Sequence, residues 1–586
     1  MAAETSPGPV ELLRRHVRRM PGVTVFELAG ERADLPPERL TFADLDARAT
    51  ALAAEIRRHT TAGDRVAILQ ESGLEFPVAF FACLYAGVVA VPLYPPDAQR
   101  TAARLNAVVR DADPALVLTS ARHRRAVRDW LDGGVLRTPR LALIDEVRTP
   151  GPLHAEPMTA RGDEPALLQY TSGSTGDPAG VVVTHRNLVA NVGQIRRAYA
   201  VSSDSVLVNW LPLFHDMGLL TMVVLPALSG IRSIHLTPGT FIRHPRRWLE
   251  LISQQADANA MAPDFGYRHC VQRIAPPQRA GLDLRGWRIA GNGSEPVRPR
   301  TLDLFAEAFA GQGFDPAAFR PSYGLAEATV LVSGFRASGP PRRLPVDRAA
   351  LGRGEVRPAG PGSPGDDGAE RTTVLVGCGV PADQEVRVVD PGTGKVCPPG
   401  RVGELWVSGP NVTAGYFRRP ERTAGAFLTR HEAGPGPWLR TGDLGFLDQG
   451  EIFVVGRLKD LIIVDGRNHH AADVEETAGQ AHPAVVVGGV AAIPADTAEG
   501  EALVVLAEVD RRAPGFTPAA VRAAVRRALA DRHGVSPYDV VLVRRGALPR
   551  TTSGKLQRRQ SRRLYADGAF AADLVVAEPA AAPVGN

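Results

Sequence analysis

The sequence predicts an α/β protein with a large N-terminal domain of doubly wound sheets, a small β-rich subdomain and a small α+β C-terminal domain. Three observations support this fold class. Strand-like and helix-like segments alternate up to about Ser333, which is typical of a largely parallel sheet covered by helices. A segment rich in Gly, Pro and Arg interrupts this pattern at about 334–370. A second set of helices and strands begins near Lys459.

Helix and strand signals follow one another in the first part of the chain. Thr41 and Asp44 have the pattern of a capping box before LDARATALAAEIRRH, whose apolar residues recur at helical spacing. DRVAILQ, VVAVPLYPP and ALVLTS then have the composition of strands, and FPVAFFACLYAGV and LNAVVRD that of helices. The alternation continues through VLVNWLPL, HPRRWLELISQQ and LRGWRIAGNGS, so we expect one α/β domain to extend this far.

The later part of the chain predicts the domain boundaries. The segment 334–370 has little periodicity and is predicted to be an inserted, partly mobile surface segment. The short strands EVRVVD, GELWVSG and EIFVVG indicate the β-rich subdomain. We therefore predict an N-terminal domain at 1–458 that includes the insertion, a C-terminal domain at 459–574, and a disordered tail at 575–586.

Composition excludes several classes of protein. With 586 residues, 44% of them hydrophobic and 22% charged, the chain has the composition of a globular protein with more than one core. The sequence has no run of about 18 apolar residues, so no membrane span is predicted. No signal peptide is evident either, so we expect a cytoplasmic protein. The four cysteines form no C-x-x-C pair, which disfavours zinc and disulfides.

The charge pattern favours phosphate-bearing ligands or an acidic partner over nucleic acid. The net charge is +5, but 63 acidic residues are interleaved with 68 basic ones and only 6% of residues are aromatic. Lysine occurs only at Lys395, Lys459 and Lys555, so arginine is the ordinary surface cation. Lys395 lies in a predicted turn and is expected to be solvated. Lys555, in PRTTSGKLQR, is a candidate for work that needs a compact point charge.

A Ser/Thr/Gly-rich loop in YTSGSTGDPAG is the strongest local signal for phosphate binding. It lies between two predicted strands, ALLQY and VVVTH, where backbone N–H groups and hydroxyls can surround a polyphosphate. It lacks the G-K-[ST] of a Walker A loop, and a flexible linker is the alternative interpretation. The predicted nucleotide-binding residues of this loop are Thr171, Ser172, Gly173, Ser174, Thr175 and Gly176.

Seven motifs in one order carry a resemblance to a known family. They are YTSGSTG with VVVTH, LPLFHDMGLL, NGSEPV, YGLAEAT, RTGDLGF, GRLKDLIIVDGRNHH and PRTTSGKLQR. Together they resemble the acyl-adenylate-forming superfamily, most closely the fatty acyl-AMP ligases. The resemblance implies that ATP and Mg²⁺ activate a medium- or long-chain fatty acid as an acyl-adenylate with release of pyrophosphate. The acyl group would then pass to the phosphopantetheine thiol of an acyl carrier protein supplied in trans.

The resemblance also implies residue roles on the polar side of the site. Lys555 matches the lysine that bridges the acyl carboxylate and the α-phosphate, and Asp443 the carboxylate that holds the ribose hydroxyls. Arg457 should reach the ribose or a phosphate. Lys459 matches the hinge about which the C-terminal domain rotates between the two half-reactions.

Other roles concern the base, the metal and the acyl chain. Tyr323 is expected to stack on adenine, with Gly293 and Ser294 on the opposite wall. Phe265 and Gly324 are candidate lining residues of an apolar acyl tunnel.

Glu327 matches the Mg²⁺ ligand, because a carboxylate is a hard oxygen ligand for a hard cation. His215 is expected near the acyl carboxyl group as a gate or orienting donor, with a structural core histidine as the alternative.

Departures from the superfamily pattern bear on the acceptor thiol. Ala179 and Ala326 stand where many members carry lysine and threonine, which resembles the fatty acyl-AMP ligase branch. In that branch an insertion near 334–370 is associated with carrier protein rather than coenzyme A, although a neutral loop would have the same composition. A fatty acyl-CoA synthetase is therefore one alternative. A non-catalytic adenylate-binding protein is another, against which the presence of Lys555, Asp443 and Glu327 argues.

Overall fold

The computed structural model of the protein describes most of the chain. The described residues are 7–96, 102–135, 140–147, 156–158, 160–170, 178–335, 339–359, 372–431, 434–464, 467–497, 500–551 and 554–575. Within them, no helix is both long enough and apolar enough to span a bilayer.

The first part of the chain alternates helices and strands as its sequence pattern predicts. The elements are α1 (Pro9–Arg19), β1 (Thr24–Leu28), β2 (Glu38–Thr41), α2 (Phe42–Arg57), β3 (Arg65–Leu69), α3 (Glu75–Ala86), β4 (Val89–Leu93), α4 (Ala102–Ala112), β5 (Leu116–Thr119), α5 (Arg124–Asp132), β6 (Leu141–Leu143), β7 (Pro165–Tyr170), β8 (Gly180–Thr184), α6 (His185–Ala198), β9 (Val206–Asn209), α7 (Asp216–Leu219), α8 (Leu225–Ser229), β10 (Arg232–His235), α9 (Pro238–Arg243), α10 (Arg246–Ser253), β11 (Ala258–Ala262), α11 (Asp264–Arg273), β12 (Trp287–Asn292), α12 (Pro299–Phe309), β13 (Phe319–Pro321) and β14 (Ser333–Phe335). The predicted capping box is present, because the Asp44 backbone N–H donates to Thr41 Oγ1 and the Thr41 backbone N–H donates to the Asp44 carboxylate.

Two largely parallel sheets form this part. One has the order β6-β5-β3-β4-β7-β8 and the other β13-β12-β11-β9-β10-β1-β2. Only the β7–β8 and β1–β2 pairs are antiparallel. Because helices connect the parallel strands, their apolar faces are covered and the sheets share one large buried core. The doubly wound α/β class is confirmed.

A β-rich part follows. Its elements are β15 (Arg343–Asp347), α13 (Arg348–Gly352), β16 (Thr372–Val376), β17 (Val380–Pro381), β18 (Glu385–Val389), β19 (Gly403–Ser408), α14 (Pro420–Ala426), β20 (Phe427–His431), β21 (Gly434–Asp448) and β22 (Glu451–Arg457). The strands β18, β19, β21, β20 and β22 form one antiparallel sheet. Lys395 is exposed in the turn between β18 and β19, as expected.

The segment 334–370 is more regular than its sequence pattern predicts. Residues 343–352 form β15 and α13, and β15 pairs with β16 in antiparallel register. The Arg348 side chain of α13 donates to both Asp473 oxygens at 2.8 and 3.2 Å. Contacts between distant segments leave no periodic pattern in the sequence, so the sequence pattern could not predict this regular structure. Residues 336–338 and 360–371 of the segment lie outside the described residues.

The last part of the chain has hydrophobic clusters of its own. Its elements are β23 (Leu461–Val464), β24 (Arg467–His470), α15 (Ala471–Gln480), β25 (Val485–Thr497), β26 (Gly500–Val509), α16 (Pro518–His533), β27 (Asp539–Arg544) and α17 (Arg558–Ala566). The two clusters on the faces of β25–β26–β27 contain only residues from Ile462 onward. Val575, assigned to the predicted tail, donates its backbone N–H to Leu542 at 2.9 Å. The rest of that tail, 576–586, lies outside the described residues.

Candidate active site

A cavity of about 1900 Å³ lies between the sheet ends of the N-terminal part and the C-terminal part. Many of the residues predicted for the site lie in its walls. They are Phe265, Ser294, Tyr323, Gly324, Asp443, Arg457 and Lys555. His215 and Glu327 lie outside this lining. The fold therefore brings residues from five of the sequence motifs to one cleft.

Asp443 is the centre of a hydrogen-bonded group in this cavity. It lies on β21 directly opposite Arg457 of β22, so both side chains can point to the same face of the sheet. Arg457 Nε donates to Asp443 Oδ1 at 3.0 Å, and the Tyr323 hydroxyl donates to Asp443 Oδ2 at 2.8 Å. The residue is only 6% exposed. Since a carboxylate has about four lone pairs, Asp443 can accept ribose hydroxyls as well.

Protonation states in this group follow from burial and charge. Burial and the Asp443 carboxylate raise the pKa of Tyr323 well above its usual value, so its hydroxyl stays protonated at neutral pH. Asp443 also raises the pKa of Arg457. Tyr323 and Arg457 therefore act as fixed donors that hold the Asp443 carboxylate in place.

Lys555 enters the cavity from a tight loop before α17. The Lys555 backbone N–H donates to Thr551 Oγ1 at 3.1 Å, and the Thr551 backbone N–H donates to the Lys555 carbonyl at 2.8 Å. Gly554 has φ +83°, and a Cβ there would lie 3.7 Å from Phe265. This left-handed residue lets the loop pass close to the cavity wall.

Carboxylates surround the Lys555 ammonium. Burial lowers the pKa of Lys555, Asp216 raises it most among the neighbouring charges, Arg457 lowers it, and Glu295 and Asp443 raise it. Burial in turn raises the pKa of Asp216 and of Glu295. The site thus holds a cation against several partly desolvated anions, a common feature of functional sites.

Replacing Asp216 by asparagine should move the alkaline limb of kcat/KM for ATP to lower pH. This limb reports the free enzyme, and activity falls as Lys555 loses its proton. Removing a nearby negative charge makes the ammonium less stable, so its already lowered pKa falls further. The pH profile of ATP–pyrophosphate exchange checks this. The exposed Asp204→Asn is the control, and an upward shift in Asp216→Asn would contradict the assignment.

His215 precedes α7 and lies in an environment that keeps it neutral. Its ring centroid is 4.7 Å from that of Phe214. Burial, together with the Lys555 and Arg104 cations, lowers the pKa of His215 to about 3. At neutral pH the imidazole therefore carries one N–H donor and one acceptor, which suits an orienting role and excludes a cationic one.

Glu327 is anchored beside the strand that follows the predicted phosphate loop. The Tyr416 hydroxyl donates to Glu327 Oε1 at 2.8 Å, and Tyr416 forms a β-bridge with Val181 of β8. The loop residues Thr171–Gly176 lie outside the described residues, but the strands on both sides are paired, with Tyr170 opposite Gly180. Through Tyr416, Glu327 is therefore tied to the start of β8, the strand that follows the predicted phosphate loop in sequence.

Glu327 could supply one oxygen to a metal ion. Among the described residues, no three His, Cys, Asp or Glu side chains are grouped as a metal site. Mg²⁺ typically takes one or two protein carboxylates and completes its shell with phosphates and water. A single carboxylate next to the predicted phosphate loop fits that pattern.

The glycines predicted to line the adenine and acyl walls lie very close to neighbouring backbone atoms. A Cβ at Gly293 would lie 3.0 Å from the Ser322 carbonyl oxygen, and Ser294 has φ +73°. A Cβ at Gly324 would lie 1.7 Å from the Val330 carbonyl oxygen. Phe265 contacts the edge of Trp210 at a centroid distance of 5.6 Å, which places an aromatic group at the predicted acyl side.

Gly324→Ala should therefore destabilise the protein by about 3 kcal/mol, because the added methyl overlaps a backbone oxygen that has no room to move. Urea unfolding followed by circular dichroism measures this change. Gly311→Ala is a matched control, since a Cβ there meets nothing within 4 Å. Equal unfolding midpoints for the two variants would show that the Gly324 turn can adjust.

Lys459 lies in a short 3₁₀ turn, Leu458–Asp460, directly after β22. The residue is exposed. Partial desolvation, followed by the positive charges of Arg559, Arg422 and Arg457, lowers the pKa of the Lys459 amine. The turn joins the β-rich part to the C-terminal part. The hinge role of Lys459 stays a prediction.

Several residues of the site were not singled out from the sequence. Asp216, Glu295 and Arg558 lie inside the motifs HDMGLL, NGSEPV and GKLQR. The approach of Asp216 and Glu295 to Lys555, and the contacts of Arg558 with Glu475 and Asp460, depend on tertiary packing. Arg104 of α4 lines the cavity and belongs to no motif. Motif membership could have indicated the first three residues, whereas nothing in the sequence indicated Arg104.

Comparisons with known proteins agree with this geometry. The model of the AMP-binding enzyme family matches residues 13–417, and that of the Disco-interacting protein 2-like AMP domain matches 459–573. The medium-chain fatty acid–acyl-carrier-protein ligase JamA of Moorena producens is 38% identical over 540 residues, which is 90% of each chain. The long-chain fatty acid–AMP ligase FadD23 of Mycobacterium tuberculosis is 38% identical over 95% of this chain and 96% of its own.

Solved structures give the same result. A structure from a study of fatty acyl-adenylate ligases from E. coli and L. pneumophila superposes with a TM-score of 0.84 at 31% identity, covering 97% of this chain and 98% of that one. The L. pneumophila fatty acyl-adenylate ligase in complex with acyl adenylate and pyrophosphate has a TM-score of 0.73 at 32% identity, covering 96% of each chain. The chain therefore belongs to the AMP-binding enzyme family, and within it to the fatty acyl-AMP ligases. It is an ATP-dependent enzyme of lipid metabolism.

Proposed function

We propose that this enzyme couples a medium- or long-chain fatty acid to AMP and then loads the acyl group onto the phosphopantetheine thiol of a separate acyl carrier protein. The observation that carries the proposal is the position of Lys555 in one cavity with Asp443, Arg457 and Tyr323. The name of JamA, a carrier-protein ligase, supports the choice of acceptor. The four free cysteines, three of them buried, support action in a reducing cytoplasm.

In the first step a carboxylate oxygen attacks the α-phosphorus of ATP, and the bond to pyrophosphate breaks. Two anions must meet, so positive charge at the meeting point is the main requirement. Lys555 supplies it between the acyl carboxylate and the α-phosphate, while Asp443 holds the ribose and Tyr323 stacks on adenine beside Gly293 and Ser294. When bound, Mg²⁺ neutralises charge on the phosphates, and Glu327 would hold it.

In the second step the thiol attacks the acyl carbon and AMP leaves with the electrons of the broken C–O bond. Lys555 has no role there, so we propose that residues 459–574 rotate about Lys459 and withdraw it. The separate hydrophobic clusters of this part and the family model that matches residues 459–573 support such a unit.

The proposal is tested in two assays on the purified chain. Fatty-acid-dependent ATP–pyrophosphate exchange should occur with a panel of acids, and no exchange with any acid would refute adenylation. Intact-mass analysis of a holo carrier protein after incubation with ATP and acid should then give the acyl adduct. One relative is named as a putative fatty-acid–CoA ligase, so coenzyme A is the competing acceptor. Equally efficient acyl-CoA formation would refute the choice of carrier protein.

A further inference from the structure

A partly buried guanidinium connects the helix that follows the Lys555 loop to the turn that joins the two parts of the chain. Arg558 follows Lys555 by three residues and is the first residue of α17. Its Nε and Nη2 atoms donate to the two carboxylate oxygens of Glu475 at 2.7 and 2.8 Å. Its Nη1 atom donates to Asp460 Oδ2 at 2.8 Å. One side chain thus satisfies carboxylates from two separate elements, α15 and the turn 458–460.

Burial makes this contact strong and specific. The exposed fractions of the side chains are 4% for Glu475, 14% for Asp460 and 22% for Arg558. Glu475 Oε1 also accepts the backbone N–H of Ala492 at 3.1 Å, which fixes it to β25. Charge-assisted, bidentate hydrogen bonds of this kind hold a geometry that a point charge cannot reproduce. Removing the guanidinium would leave two carboxylates without their shared cation.

The position of Asp460 gives the contact its significance. Asp460 comes three residues after Arg457, whose side chain is paired with Asp443 in the cavity. Arg558 therefore links the start of α17, next to the Lys555 loop, to the turn that follows β22, the strand that ends at Arg457. Within the described residues, the backbone of Lys555 hydrogen-bonds to Thr551 in its own loop, so the placement of the loop depends on the residues on either side.

We propose that Arg558 is a positioning residue for adenylate formation, which joins Asp460, Glu475 and the Lys555 loop into one rigid unit and so holds the ammonium at its working position. This inference rests on the role proposed above for Lys555. It predicts a defect confined to the half-reaction that uses the lysine. A residue that merely stabilises the C-terminal part would impair both half-reactions together.

The test compares Arg558→Lys and Asp460→Asn with a matched control on the same helix. Arg562→Lys is that control, because Arg562 makes a 2.7 Å ion pair with Asp496, whose side chain is 84% exposed, and exposed pairs contribute little. Fatty-acid-dependent ATP–pyrophosphate exchange measures the first half-reaction. Transfer from supplied acyl-adenylate to holo carrier protein measures the second. Both assays use the full chain.

We expect Arg558→Lys to lower kcat for adenylation about 100-fold, as misplacement of a reacting group by about 1 Å does, with KM for ATP little changed. Asp460→Asn should lower kcat for adenylation about tenfold. This variant keeps the contact between Arg558 and Glu475, so it tests the same link if Arg558→Lys fails to fold. Transfer from supplied acyl-adenylate should stay within about twofold, and Arg562→Lys should behave as wild type.

A double-mutant cycle separates positioning from simple stabilisation. In a Lys555→Ala background, Arg558→Lys should have almost no further effect on exchange, because the group that it positions is gone. If the losses of exchange activity in the two single variants multiply in the double variant, the proposal is wrong. Equal losses in both half-reactions would also overturn it. So would exchange by Asp460→Asn at the rate of Arg562→Lys. A wild-type chain without exchange activity would instead refute the proposed function, so the two failures are distinguishable.

Discussion

Replacing Lys555 by alanine should lower the rate of acyl-adenylate formation by about three orders of magnitude. One cation about 4 Å from each anion contributes roughly 4 kcal/mol at an effective dielectric constant near 20, which corresponds to that factor in rate. The fold should survive, because the hydrogen bonds that position Lys555 in its loop involve its backbone. Fatty-acid-dependent ATP–pyrophosphate exchange measures the loss, and thermal unfolding checks the fold.

Two further variants make this result specific. Lys395→Ala removes an exposed lysine from a turn and should leave exchange unchanged. Lys555→Arg keeps the charge but replaces a compact ammonium with a wide planar fork, so it should fail nearly as badly as alanine. Native exchange rates in Lys555→Ala would show that the lysine has no part in the chemistry.

Replacing Asp443 by asparagine should raise KM for ATP about 100-fold and leave KM for the fatty acid nearly unchanged. The carboxylate accepts from both Tyr323 and Arg457, and an amide can accept through only one of its two atoms. The ribose hydroxyls also lose a charged acceptor, and hydrogen bonds to charged groups contribute about 1.5–3 kcal/mol. Steady-state kinetics with each substrate varied in turn measures the two KM values.

The control for Asp443→Asn lies on the same strand. Asp448, the last residue of β21, forms an ion pair with Arg342 and has a side chain that is 40% exposed. Asp448→Asn should leave both KM values close to those of the wild type, because exposed pairs contribute little. An equal rise of both KM values in Asp443→Asn would indicate a general disturbance of the site instead of a lost ribose contact.

Much of the N-terminal fold could be predicted from sequence because its signals are local. The capping box of Thr41 and the alternation of apolar strands and helices are present in the structure at nearly the predicted bounds. The order of strands was not predictable in this way. β1 and β2 extend the seven-stranded sheet beside β10, and Phe26 of β1 pairs with Ser233 of β10, more than 200 residues further along the chain. Such long-range pairing has no local signal.

The candidate site shows the same division. Asp443, Tyr323 and Lys555 lie in distinctive motifs and were predicted individually, but the hydrogen bond from Tyr323 to Asp443 joins residues 120 positions apart. The carboxylates of Asp216, at the start of α7, and of Glu295, just after β12, both act on the Lys555 charge although they are far apart in sequence. Convergence of this kind depends on packing between domains, so no periodicity in the sequence could indicate it.

The scarcity of lysine has a practical consequence for following this enzyme at work. Lys395 and Lys459 are exposed, whereas Lys555 is only partly exposed and lines the cleft. A reagent that methylates amines would therefore mark three side chains that peptide mapping resolves completely. In the unaltered chain, the extent of labelling at Lys395 and Lys459 therefore serves as an internal standard for the labelling of Lys555 in the cleft.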